Sequence, residues 1–365
     1  MTTHSKIFAL ILLLSGYGAT LSAQTEVAPF RPGVTTDGIS YFLPKTRLHI
    51  AIEATQVTRT PGEYAPYASA FLRVDNVPQT ATDVWTVNTL SVTPYGVADP
   101  NKAYTIRLKT KTAAPLVTLT GDGCLLAVNG EAQQPEALSQ PSMKDLGSDA
   151  INAADYKTPE ILAATSPRKA AELAAEEIYD IRENRGMLSK GQADFMPKDG
   201  DQLKIMLDNL GQQESALLQL FQGTTATKQH VITLDVEPTS FDGTPQVLFR
   251  FSPEKGFLEP NSTEGAPFTI SFTDEHSLPA EASAADAKST KKEQEDLRYC
   301  VSGNARVVVN GPTGNIIWQS SMPFAQIGRI EHLGGELFNK KYTTHVYLHP
   351  TTGSILKLDA APETK

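Results

Sequence analysis

Glu331-His332-Leu333-Gly334-Gly335-Glu336 is the stretch of this 365-residue chain where an imidazole, two carboxylates and flexible backbone meet. Those types at that spacing suit a general acid–base pair. No Ser or Cys nucleophile can be tied to them, and a polar loop between strands collects the same residue types. Elsewhere the chemistry is sparse. The chain carries no G-x-S-x-G elbow, no H-E-x-x-H, no phosphate-binding G-x-x-x-x-G-K-[ST] and no EF-hand loop. Glu172, Glu176, Glu177, Asp180 and Glu183 cluster in one region, but no His lies between His49 and His230. A carboxylate-bridged metal pair in helices needs Glu-x-x-His, so these acids read as a solvated face. His345 and His349 on one strand would sit ~13 Å apart, too far to share an ion. Neither a metal nor a cofactor is expected. Tyr64 and Tyr67, beside Pro61-Gly62 and Pro66, read as exposed aromatics and are the weak candidates for a ligand-binding site.

The elements that must position these residues are mostly strands. Residues 38–43, 46–57, 84–92, 104–109, 116–119 and 124–128 are rich in β-branched and aromatic types, and Gly121-Asp122-Gly123 makes a compact hairpin turn. Tyr64 to Leu72 reads as a short helix. From Ser166, an N-cap followed by Pro167, the residues Ala171, Ala174, Ile178 and Ile181 form one apolar stripe that Gly186 can stop. A second stripe runs from Leu203 to Phe221 and ends at Gly223, with a kink allowed at Gly211. After Lys228 the alternation returns: Val247, Phe249, Phe251, then Phe268, Ile270, Phe272. Asn310-Gly311-Pro312-Thr313-Gly314 and Pro350-Thr351-Thr352-Gly353 each join two strands. Val307-Val308-Val309, apolar on both faces, reads as a central strand. The expected fold is α+β, mainly antiparallel β, with two β units flanking a central helical pair. Its boundaries fall at 24–150, 155–223 and 228–365, with a loose Ala/Ser/Glu/Lys segment at 278–296.

Residues 1–23 read as a secretory signal peptide: Lys6, an apolar run from Ile7 to Leu14, and Leu21-Ser22-Ala23 before Gln24. There is no Cys near that cut, so a lipoprotein is not expected. Removing 23 of 365 residues leaves 342, and removing Lys6 takes the net charge from −9 to −10. That acidity, with no basic stripe, argues against nucleic acid as a partner. No later run reaches 18 apolar residues, so no transmembrane segment is expected in the mature chain. In an oxidising compartment the two cysteines, Cys124 and Cys300, can pair or stay as separate buried thiols.

Several motifs have a collective likeness. Tyr41-Phe42-Leu43-Pro44-Lys45-Thr46, Thr60-Pro61-Gly62 and Tyr67-Ala68 come first. Ala170-Ala171-Glu172 and Ile178-Tyr179-Asp180-Ile181-Arg182-Glu183-Asn184-Arg185 follow. Then come Met196-Pro197-Lys198-Asp199-Gly200, Glu214, Leu220-Phe221-Gln222-Gly223 and Arg250-Phe251-Ser252. Together these resemble the exported Bacteroidetes family called domain of unknown function 4831. The resemblance implies a protein of a Gram-negative envelope and carries no activity or ligand. At Tyr299-Cys300 it implies an Arg after the Tyr, which makes Cys300 particular to this chain. The functional expectation is an exported periplasmic or cell-envelope protein, a non-catalytic binding or scaffold protein whose partner is an unknown envelope protein or glycan. The alternative is an envelope hydrolase with its acid–base site near Glu331, His332 and Glu336.

Overall fold

The computed structural model describes residues 26–29, 38–107, 116–197, 199–278, 297–334 and 342–362. The leader at 1–23, residues 279–296 of the loose segment, and Glu336 lie outside the described residues. The chain folds as a β-rich α+β protein in which every ladder between the described strands is antiparallel.

The first sheet runs in the order β1 (Glu26–Pro29), β3 (Thr82–Arg107), β2 (Ile39–Thr60), β7 (Thr224–Val236) and β6 (Ser142–Ser148). The second runs β12 (Ile316–Leu333), β11 (Leu297–Asn310), β10 (Ala266–Asp274), β8 (Gln246–Ser252) and β9 (Gly256–Leu258). These two sheets face each other as a sandwich. Leu48, Ile50 and Ile52 of β2 meet Phe249 and Phe251 of β8, Phe268, Ile270 and Phe272 of β10, and Val307 and Val309 of β11. Strand alternation explains the choice, since every second residue points to one face. As the valine run implies, β11 is interior, with β10 and β12 on either side. The third sheet, β14 (Ile355–Pro362), β13 (Tyr342–Leu348), β5 (Leu125–Val128) and β4 (Val117–Leu119), has its own core. There Leu125, Val128, Val346 and Leu348 pack with Tyr41, Leu43, Ile106 and Leu297. All three hairpins expected from glycine turns form: β4–β5, β11–β12 and β13–β14.

β2 and β11 each serve both cores. The large apolar side chains buried along β2 are Tyr41 and Leu43, then Leu48, Ile50 and Ile52, a change from odd to even positions. The pairing with β3 shifts register between Phe42 and Pro44. From the Phe42–Ala103 pair to the Pro44–Ala98 pair β2 advances two residues and β3 five, an irregularity at which a strand can exchange faces. Proline at the shift is consistent with it, because Pro44 has no N–H to offer a ladder. The segments on either side of the helices also share sheets: β7 joins β2 and β6, and β13 joins β5.

The helices stand apart as a third cluster. α1 (Ala68–Leu72), α2 (Pro159–Leu162), α3 (Pro167–Lys190) and α4 (Gly200–Gln222) bury Ala68, Leu72, Ile161, Ala171, Ala174, Ile178, Leu217 and Phe221 together. Ser166 caps α3 by accepting from Lys169 N–H at 3.2 Å, with Pro167 in the first turn. Gly186 does not stop the helix. α3 continues to Lys190 and closes at Gly191, whose φ of 69° is left-handed. The extra turn places Leu188 at 6 % exposure, and burying it outweighs the small helix penalty of one glycine. α4 runs unbroken through Gly211.

Both cysteines are buried and stand as free thiols rather than as a bridge. Burial, helped by the Asp122 carboxylate, pushes the Cys124 thiol up to about 12, and burial also raises Cys300. Since the thiolate is the reactive form, neither is expected to react with iodoacetamide at neutral pH in the folded protein. Both should be alkylated in denaturant. Intact mass spectrometry distinguishes these states, and rapid native labelling of either residue would contradict the buried placement.

Candidate functional site

The acid–base grouping expected near residue 332 does not assemble among the described residues. Glu331 and His332 are consecutive on β12, opposite Tyr299 and Arg298, so their side chains leave opposite faces of the strand. Glu331 accepts from Arg329 Nε at 2.6 Å, and His332 contacts Arg298. The physical reason is that β12 extends through Leu333, where a loop was expected.

Tyr64 is not an exposed aromatic. It is 2 % exposed, with its ring against Phe221 at 5.6 Å between centroids, and the chain turn at Pro61-Gly62 delivers it into the helical core. Tyr67 is half-buried and packs on Phe71 at 6.3 Å. Neither face of Tyr64 is free for stacking on a sugar, because Lys157 Nζ lies 5.4 Å from its ring centroid. Tyr64 nevertheless borders a cleft of about 330 Å³ that also holds opposed charges.

Three pieces of chain build this cleft. Glu63 and Tyr64 come from the turn after β2, Lys157 precedes α2, and Ile161, Leu162, Thr165 and Pro167 come from α2 and the start of α3. Thr158 and Ser166 cap the two helices, accepting from Ile161 N–H and Lys169 N–H, so the corner between them is rigidly set. Lys157 Nζ donates to Glu63 Oε2 at 2.6 Å, with side-chain exposures of 13 % and 56 %. Burial pulls the Lys157 ammonium down, but Glu63 and Tyr64 outweigh it and leave it above its ordinary range. Burial pushes the Tyr64 hydroxyl up, and Glu63 adds to this, so it stays protonated. The cleft thus offers a fixed cation, an adjustable anion, a hydroxyl and an aliphatic wall.

The family-level observation bears on the same region. The model of the family described as domain of unknown function (DUF4831) matches residues 37–356. The chain belongs to that family. Comparison with curated proteins and with solved structures gives no match. Several DUF4831 motif residues meet within the helical cluster and at its junction with β2. Gly62 touches Leu220, Gly223 touches Thr60, Tyr179 donates to the Phe71 carbonyl at 3.2 Å, and Glu214 bridges Arg182 and Arg185. In this DUF4831 chain no helix among the described residues is long and apolar enough to cross a membrane.

A second grouping escaped the sequence. His49 and Asp235 are direct cross-strand partners on β2 and β7. His49 Nδ1 lies 2.8 Å from Asp235 Oδ1, and Nε2 lies 3.0 Å from both the hydroxyl and the carbonyl oxygen of Ser139. Beside them on the same face, Lys45 and Arg47 clamp Glu237 at 2.7 and 2.9 Å and hold its carboxyl below the usual range. The order Asp–His–Ser is that of a nucleophilic triad, yet the hydrogen bonds favour another role. With Nδ1–H given to Asp235, a neutral ring has only a lone pair at Nε2, which the Ser139 hydroxyl can use but its carbonyl cannot. Both ring nitrogens of His49 are engaged at once, by Asp235 on β7 and by Ser139 ahead of β6. His49 is therefore a latch that ties the chain before β6 to the sheet. The only sequence signal was its position between Arg47 and Ala51 on the outward parity of β2; the partners required the register.

Replacing His49 with Leu should release that segment. The expected results are a loss of about 0.5–1.5 kcal/mol, the net value of a hydrogen bond whose remaining partners, Asp235 and Ser139, are exposed, and faster amide exchange at Ser139 and Gln140. Unchanged exchange there would remove the latch.

Proposed function

We propose that this is an exported, non-catalytic binding protein of the periplasm or cell envelope, and that the cleft between Glu63, Lys157 and the α2–α3 corner is where it binds. The leader-like start, Lys6 with Ile7–Leu14, supports export, and the family resemblance supports a Gram-negative envelope of Bacteroidetes type. The observation that carries the binding reading is the cleft. Its volume of about 330 Å³ falls within the range of small-molecule sites, and it combines convergent polar groups with an apolar wall. It also sits on rigid elements, as a binding constellation requires. The test fills it. Thr165 is exposed at the rim, so Thr165→Trp blocks the cleft without entering the core. Small molecules and peptides retained from envelope extracts by the wild-type protein should be lost with Thr165→Trp. Identical retention by both proteins would overturn the reading.

A second reading, an envelope hydrolase, is favoured by the 2.8 Å and 3.0 Å contacts that place Asp235, His49 and Ser139 in triad order. A fluorophosphonate probe separates the two. The binding reading expects Ser139 to stay unmodified. An adduct on Ser139 that disappears with His49→Gln would install the hydrolase instead.

A further inference from the structure

Resting on that binding reading, we infer that the cleft takes an apolar α-amino acid, with its carboxylate on Lys157, its ammonium on Glu63 and its side chain against Ile161, Leu162 and Pro167. The argument is one of charge matching. Lys157 and Glu63 are 2.6 Å apart, so the site as a whole is neutral. A ligand with a carboxylate alone must evict Glu63 from Lys157 and leave it without its partner. A ligand with an ammonium alone must strip Lys157, whose side chain is 13 % exposed and little able to rehydrate. A zwitterion inserted between the two restores both pairs, each as a charge-assisted hydrogen bond.

The two walls support the same ligand. Glu63 is 56 % exposed and can swing outward to admit a group between itself and Lys157, which the Tyr64 ring and Glu63 turn hold in place. Leu162 is 67 % exposed at the rim while Ile161 beneath it is 3 % exposed. That is an aliphatic surface half-covered by protein, which an incoming alkyl side chain would cover further. A sugar fits poorly, because the aromatic face it would need is already occupied by Phe221 and Lys157.

The test is an NMR titration of the full mature protein with four probes: L-leucine, 4-methylpentanoate, 3-methylbutylamine and glycine. These keep the whole ligand, remove the ammonium, remove the carboxylate, or remove the apolar chain. Saturable shifts at residues 63–64, 157 and 161–167 are expected for L-leucine at millimolar concentration. Each comparator should bind at least about tenfold more weakly, the loss of roughly one charged or apolar contact. Glu63→Gln and Lys157→Met should each weaken L-leucine to the same degree, and Lys157→Arg should retain more affinity than Lys157→Met. A melting temperature close to wild type verifies that each variant is folded. Equal binding of 4-methylpentanoate and L-leucine, or no response to L-leucine, would overturn the ligand class. If that happens while Thr165→Trp still abolishes retention from extracts, the cleft remains a binding site for something else. If Thr165→Trp has no effect either, the binding reading falls with it.

Discussion

Gly223→Ala should loosen the helical cluster from the sandwich, at a cost of about 3 kcal/mol or more, and Gly62→Ala should do the same. The two glycines let the turn after β2 lie directly on the C-terminal end of α4. A Cβ on Gly223 would stand 2.0 Å from the Thr60 carbonyl oxygen, and one on Gly62 would stand 2.3 Å from the Leu220 carbonyl oxygen. Both obstacles are backbone, so neither can swing aside. Gly223 has a further penalty, since its φ of 80° lies in the left-handed region, which costs other residues about 1 kcal/mol or more. Separation of the two segments would also break the Tyr64 N–H to Leu220 carbonyl bond, at 2.6 Å, and the Tyr64–Phe221 ring contact. Amide exchange should therefore rise across α1, α3 and α4 while residues 48–52 in the sandwich stay protected. Gly186→Ala is the control. Nothing lies within 4 Å of its Cβ position in mid-helix, so it should stabilise by about 0.5–1 kcal/mol. A Gly223→Ala protein that melts with the wild type would refute this account of the junction.

Glu214→Gln should cost about 2 kcal/mol at neutral pH, and the loss should vanish in acid. Glu214 is the one buried acid of α4, accepting from Arg182 Nε at 2.7 Å and from Arg185 on α3. Hydrogen bonds to charged groups contribute about 1.5–3 kcal/mol each, and the two arginines, 43 % exposed, recover part of this from water. Burial pushes the Glu214 carboxyl up, but Arg182 and Arg185 outweigh it and hold it below the ordinary 4.5. A lowered folded-state pKa means the stabilisation is complete above the unfolded value and is lost as pH falls through the folded one. Melting temperatures of wild type and Glu214→Gln should therefore differ near pH 7 and converge only as the pH falls through the lowered folded-state value, beneath the ordinary 4.5. Parallel curves at every pH would show that the bridge does not hold the helices together.

Much of the local structure was legible because its causes are local. Three glycine turns made three hairpins, Ser166-Pro167 opened α3, and the stripe Ala171, Ala174, Ile178, Ile181 faced inward. Each of these depends on residues two to four positions apart, where alternation, helical period or a cap sets the energy. Membership in the DUF4831 family was equally present in the motifs. The site was not. His49 meets Asp235 across 186 positions and Ser139 across 90, and only the pairing of β2 with β7 brings them together. Glu63 and Lys157 are 94 positions apart and join because two glycines let the turn after β2 sit on α4. Tyr64, flanked by turn residues, looked exposed, but the tertiary fold turned it onto Phe221. Even the parity of β2 changed at a three-residue register shift against β3, at Phe42–Pro44, that local pattern does not encode. Register and docking are set by contacts between distant segments, whose joint burial outweighs what any one segment prefers alone.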